Sequence, residues 1–214
     1  MPVFGKGAFL AAFLAVAMYA GIGHDSQYVF SAEKMQQIAR ESIAESKGNV
    51  DEMLPLVVKK LATEYPDFII PEPQWLFNNA GGAMGSMLVL HCSLSEYVII
   101  FGTAVGTEGH TGRFLAHDYF TILHGEQWAA SAGQLERSVY KPGDQHYLPL
   151  GTSKQYKMPE DCWALEYARG NIISMSPFGV LDTLTSTMDV VTLGQTIWVS
   201  AKWMLYNIVV HGKV

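Results

Sequence analysis

Apolar and polar positions change period twice along the chain. Over residues 31–47, Met35, Ile38, Ala39 and Ile43 recur at the spacing of an amphipathic helix, with Ser31 placed to cap it and Gly48 to end it. A second helix is expected from near Asp51, burying Leu54, Val57, Val58 and Leu61 and stopping before Pro66. Pro55 then falls in or just beyond the first turn, where a missing N–H is tolerated. From Ile69 the period shortens. Short apolar or alternating runs at 86–91, 97–102, 118–124, 138–140, 154–157 and 162–167 read as strands. Turn residues separate them: Gly81-Gly82, the 106–112 loop, Gly125, Pro142-Gly143, Gly151 and Pro159. Strands this short and closely spaced predict a barrel or sandwich, and a barrel can enclose a ligand. After Gly170 helical spacing returns. Phe178, Leu181, Leu184 and Met188 share one stripe, and 197–210 carries two tryptophans with Lys202 as its only charge. Such a weak polar face suits a helix lying at a membrane interface, the alternative being an ordinary core helix.

The run 162–170, CWALEYARG, holds the most informative pattern. As a strand it presents Trp163, Leu165 and Tyr167 on one face, and Cys162, Ala164, Glu166 and Ala168 on the other. A carboxylate between two alanines leaves volume beside it. Buried, it must stay protonated or find a partner. Pattern alone leaves two choices open and leans to the first: the aromatic face inward with Glu166 wet, or Glu166 inward beside a filled cavity.

Composition changes the picture at the N-terminus. Of the 214 residues 49% are hydrophobic and only 16% charged, below the roughly 25% usual for soluble domains. Mean hydropathy is +0.13, so part of the chain is expected to meet lipid. Residues 7–23 carry no charge and, at about 1.5 Å per residue, reach about 25 Å as a helix, close to a thin bilayer core. The expectation is a retained anchor over 1–24. Its rival is a cleaved signal peptide, since Ala15-Val16-Ala17 has the small-x-small form of a cleavage site. Lys6 before the run favours a cytosolic N-terminus and a lumenal body. A net charge of −6 argues against nucleic acid as a partner. Cys92 and Cys162 are too few for a disulfide framework or a thiolate metal site, although they could pair in an oxidising lumen.

Phosphate loops, dinucleotide fingerprints, nucleophile elbows and zinc-protease motifs are absent from the sequence. His91, His110, His117, His124 and His146 show no tight ligand spacing, so most read as structural or solvated. A barrel gathering two of them with a carboxylate is the weaker, metal-dependent reading.

Several longer stretches resemble one family. They are Asn79-Ala80-Gly81-Gly82, HCSLSEYVIIFGTA over 91–104, GHTGR over 109–113, Pro142-Gly143, and Glu166-Tyr167-Ala168-Arg169-Gly170. The family holds the fungal sterol C-8 isomerases and the animal type 1 sigma receptor. The stretches at 117–120 (HDYF) and 154–158 (KQYKM) look like its isomerase branch.

The resemblance implies a mainly β fold with α: a cupin-like β-barrel with an N-terminal transmembrane helix and two C-terminal membrane-associated helices. On this chain the parts become an anchor over 1–24, a helical cover over 25–68, the barrel with its ligand cavity over 69–170, and the C-terminal helices over 171–214. A homotrimer, residence in the endoplasmic reticulum membrane, contact with membrane lipid and inhibition by cationic amphiphilic amines are implied with it. The implied activity is a cofactor-free and metal-free shift of a sterol ring double bond from Δ8 to Δ7, the alternative being a non-catalytic receptor for amines or sterols. The cavity acid maps onto Glu166, which turns that face of its strand inward. The tyrosine supporting the acid maps onto Tyr97, and substrate-lining positions onto Met87, Ile99, Phe101, Phe114 and Phe120. The receptor's second acid falls at Phe120. Asp118, two residues earlier and so on the same strand face, is expected to supply the second carboxylate. His117 should then point away.

Overall fold

The structure is a computed structural model that describes residues 28–213; the expected anchor over 1–24 lies outside the described residues. Two helices come first, α1 (Ala32–Glu45) and α2 (Val50–Glu64). Ser31 caps α1 as expected, its hydroxyl accepting from the Lys34 amide at 3.2 Å, and Asn49 caps α2 in the same way through Asp51. Pro55 sits inside α2, beyond the first turn. The buried residues of α2 are Met53, Val57 and Leu61, with Leu54 and Val58 partly buried beside them.

Ten strands follow: β1 (Trp75–Ala80), β2 (Ala83–Cys92), β3 (Glu96–Thr103), β4 (Thr107–His110), β5 (Ala116–His124), β6 (Gln127–Ala130), β7 (Ser138–Tyr140), β8 (Gln145–Leu148), β9 (Gln155–Met158) and β10 (Cys162–Gly170). They make two antiparallel sheets, one of six strands in the order β1-β2-β3-β10-β5-β8 and one of four in the order β4-β9-β6-β7. β1 and β2 meet at Gly81-Gly82, both in the left-handed region. A Cβ on Gly81 would lie 2.3 Å from the His110 carbonyl oxygen, so glycine is what seats the hairpin against β4.

The central strands of the six-stranded sheet are buried on both faces. Leu88, Leu90, Ile100, Leu165 and Tyr167 pack beneath Met35, Ile38, Val57 and Leu61 of the two helices. Met87, Val89, Ile99, Phe101, Phe120 and Ala164 form the opposite face. Double burial explains why β2 and β3 read as continuous apolar runs. It also dissolves the choice posed for 162–170, because Tyr167 and Leu165 are buried toward the helices while Ala164 and Glu166 face the other way.

Beyond Gly170 the chain makes a 3₁₀ turn (Ile172–Met175), helix α3 (Ser176–Asp182), a π turn (Thr183–Thr187) and the long helix α4 (Val190–His211). Met188, left-handed at φ 54°, breaks the expected single stripe between α3 and α4, and Asp189 caps α4. Among the described residues no helix is long and apolar enough to cross a membrane.

Candidate active site

A cavity of about 660 Å³ lies between the two sheets, with residues of α3 and α4 along one side. The register of the central strands sets what faces it. Glu166 on β10 pairs with Ile99 of β3 on one side and with Phe120 of β5 on the other, and Phe120 pairs in turn with His146 of β8. The next inward row is Tyr97, Ala168, Asp118 and Leu148. Asp118 is therefore the diagonal neighbour of Glu166 on the same face of an adjacent strand, at a Cα distance of roughly 7–8 Å, near enough for two carboxyl side chains to meet. The small Cβ atoms of Ala164 and Ala168 leave the room beside Glu166 that the alternation suggested.

Glu166, Asp118, Tyr97, Met87, Ile99, Phe101, Phe114 and Phe120 all line this one cavity. Phe101 and Phe120 face each other with centroids 6.3 Å apart, and Phe114 packs edge-on against Phe178 of α3 at 5.2 Å. His117 stands on the other face of β5, its Nδ1 2.7 Å from the Tyr147 hydroxyl and its ring stacked on that of Tyr147. Its outward direction follows the strand parity read from sequence.

Burial governs the electrostatics. Desolvation, and then the nearby Asp118 charge, hold the Glu166 carboxyl well above the usual carboxylate range. Desolvation also raises Asp118, to about 7, against a backbone hydrogen bond at Tyr119 that acts to lower it. Its Oδ1 is buried without a hydrogen-bond partner. Two carboxyls sharing a dry wall favour one proton between them, which gives one acid and one base. Desolvation likewise keeps the Tyr97 phenol protonated, with Cys92 and Glu166 adding to it. Its hydroxyl donates to the Met87 sulfur at 3.7 Å rather than to Glu166.

Sequence reasoning gave no cavity role to four residues here. Gln127, His146 and Tyr156 line the cavity, and Lys154 reaches His146. They sit on or beside the short strands β6, β8 and β9; of these only β9 was expected, and its pattern did not say which sheet it joins. The remaining histidines are dispersed. His91 is packed against Phe30 and Phe68 with Nδ1 2.8 Å from the Phe68 carbonyl, and burial lowers it to about 3. His124 meets Asp161 at 2.9 Å, and His110 Nδ1 accepts from the Gly112 amide. Among the described residues no three His, Cys, Asp or Glu side chains gather as a metal would require. Cys92 and Cys162 are both free and buried, and burial raises each thiol to about 12.

Known proteins share this chain almost end to end. A C-8 sterol isomerase from Pyricularia oryzae is 47% identical over 213 residues, 97% of this chain and 96% of that protein. Sigma non-opioid intracellular receptor 1 from Xenopus tropicalis is 37% identical over 202 residues, 92% of this chain and 89% of that protein. Among solved structures, an RmlC-like cupin from Shewanella frigidimarina matches 50% of this chain and 92% of its own at 16% identity and a TM-score of 0.40. The family model described as ERG2 and Sigma1 receptor like protein matches residues 7–212, which takes in both sheets, the cavity and α4. The chain therefore belongs to the ERG2 and Sigma1 receptor like protein family.

Proposed function

We propose that the protein is a C-8 sterol isomerase that moves the ring double bond of a Δ8-sterol to Δ7 by acid–base chemistry. The observation that carries the mechanism is the diagonal pair Glu166 and Asp118, both desolvated on one apolar cavity wall. Kinship to named isomerases at 47% identity, against 37% to a named sigma receptor, favours enzyme over receptor.

The reaction needs a proton delivered to carbon 9, which leaves a tertiary cation at carbon 8, and a base that takes a proton from carbon 7. We assign the acid to Glu166, on the central strand between two alanines, where burial holds its carboxyl above the usual range. Asp118, poised at about 7 with an unpartnered oxygen, is the base. An alkene is a feeble base, so the acid must be dry and closely aimed. When Glu166 gives up its proton, its new carboxylate and the faces of Phe101 and Phe120 stabilise the cation between them. After turnover Asp118 holds the proton and Glu166 the charge; once the product has left, Asp118 gives its proton to water and Glu166 takes one from water, which resets the site.

Residence in the endoplasmic reticulum membrane through an anchor over 1–24 belongs to the same proposal, as do a trimeric assembly and the cupin-like description of the two sheets. The exposed Val191, Trp198, Leu205 and Val209 of α4 support a helix resting on lipid.

Turnover of a purified Δ8-sterol in chelator-treated buffer tests the activity. The Δ7 isomer is the expected product. A protein that binds the sterol but releases it unchanged would be the receptor-like alternative. Dependence on added metal would bring back the metal-dependent reading. A lipophilic tertiary amine shaped like the sterol, protonated where carbon 8 would sit, should bind at least about 10²-fold tighter than its carbon isostere, because it imitates the cation. Competitive binding of the two ligands measures this, and Glu166→Gln should remove most of the amine's advantage.

A further inference from the structure

Behind the cavity wall, a partly buried chain of hydrogen bonds has a direction that its own chemistry fixes. Lys154 Nζ lies 3.0 Å from His146 Nε2, and His146 Nδ1 lies 2.8 Å from Gln127 Oε1. An ammonium can only donate, so Nε2 of His146 must be the acceptor and the imidazole must be neutral. Its one proton is then on Nδ1, which donates to Gln127. Gln127 must meet that proton with its oxygen, and its NH₂ group is left for the cavity that Gln127 lines. Burial, with Lys154 beside it, lowers His146 to about 4, so this polarity persists at neutral pH. His146 is also stacked on Tyr140 at 4.4 Å, which holds the ring in place.

We infer that Gln127, oriented by His146 and Lys154, forms the subsite that donates hydrogen bonds to the oxygen on ring A of the sterol. This rests on the isomerase reading and adds the substrate's orientation to it. Elsewhere the cavity is walled largely by side chains such as Met87, Ile99, Phe101 and Phe120, and its carboxyls are already assigned to carbons 7 and 9. A sterol has one oxygen, on ring A, and the reacting carbons lie in the next ring. His146 is two strands from Glu166 along one inward row, about 10 Å between backbones at the usual strand spacing, with Phe120 between them as a floor for the rings. Gln127 and Lys154 reach that row from the second sheet and its approach, so the subsite also ties the two sheets together. With the oxygen held there, the aliphatic side chain of the sterol points toward Leu193, Ile197 and Met204 of α4. That is the direction from which a lipid would enter, hydroxyl first.

The test compares three ligands of one ring system: a Δ8-sterol with its 3β-hydroxyl, its 3-ketone, which can only accept, and its 3-deoxy analogue. Direct binding to the full-length protein is measured alongside turnover. The wild type should bind hydroxyl and ketone about five- to tenfold tighter than the deoxy compound, the worth of one modest hydrogen bond. Gln127→Leu should bind all three alike. Lys154→Met frees His146 to place its proton on Nε2 and lets the Gln127 amide turn its oxygen inward. That variant should lose the preference for the ketone and keep the one for the hydroxyl, a reversal that mere loosening of the cavity would not produce. A Gln127→Leu protein that still prefers hydroxyl to deoxy overturns the subsite, as does an unchanged ketone preference in Lys154→Met. Ligand discrimination without Δ7 product would sink the isomerase reading and leave the subsite standing. Product formation without discrimination would do the reverse.

Discussion

A carboxyl that has to stay protonated at neutral pH needs a dry place, and Glu166 has one between two alanines on a doubly buried sheet. The same burial makes it costly to fold. A carboxyl whose folded value is raised favours the folded state below its ordinary value and works against it once pH climbs through the raised one. Glu166→Gln removes that cost, so its melting temperature should exceed the wild type's by at least about 2–4 °C at pH 8 and by little at pH 4. Activity should move the other way. Losing the acid should cost about 10²–10⁴-fold in kcat, Asp118→Asn should cost a similar factor, and His117→Gln, on the outer face, should stay close to wild type. Because Asp118 must be ionised and Glu166 protonated, the rate should rise with pH up to about 7 and fall only where Glu166 deprotonates. A pH–rate profile and thermal melts of the three variants check these together.

Among the elements, β3 carries a second buried acid with a different task. Glu96 accepts from the amides of Val29 and Phe30 at 2.8 and 3.0 Å, from the Tyr167 hydroxyl at 2.6 Å and from the Lys213 ammonium. It therefore gathers the chain entering α1, the central strand β10 and the segment leaving α4. Glu96→Gln removes the carboxylate charge that faces the buried Lys213 ammonium, and urea melts should show a loss of about 3–5 kcal/mol. Nothing in the sequence marked Glu96, since its partners are 66 or more residues away. Local signals were legible: the Ser31 cap, the Gly81-Gly82 turn, and the parity that puts Asp118 inward and His117 outward. The strands that pattern did not reveal, β1, β4, β6 and β8, are short or polar, and β1, β4 and β8 lie at sheet edges. Edge strands need no continuous apolar run because partner and solvent share their faces. Gln127 and His146 lie 19 residues apart on short strands of different sheets, so their contact could not be read until the sheets placed them together.

For the whole molecule, the two sheets enclose the cavity and α3 and α4 form one of its walls. The outward residues of α4 include Trp198, 69% exposed, and Val209, 72% exposed, a costly surface to leave in water. A protein lacking 1–24 should therefore still float with liposomes. Trp198→Glu with Val209→Glu should release it into the soluble fraction while its thermal melt stays within about 2 °C, since neither side chain is buried. Retention of the doubly substituted, anchor-less protein on liposomes would place the lipid contact elsewhere.

The central claim is that Glu166 passes a proton to the sterol and Asp118 takes another away. Its most direct test is isomerisation of a Δ8-sterol in heavy water by the purified protein, with the product read by mass and by the position of its label. The predicted result is a Δ7-sterol carrying one deuterium at carbon 9, formed at a rate that falls by at least about 10²-fold in Glu166→Gln. Product without solvent deuterium at carbon 9, or label incorporated by Glu166→Gln at the wild-type rate, would contradict it.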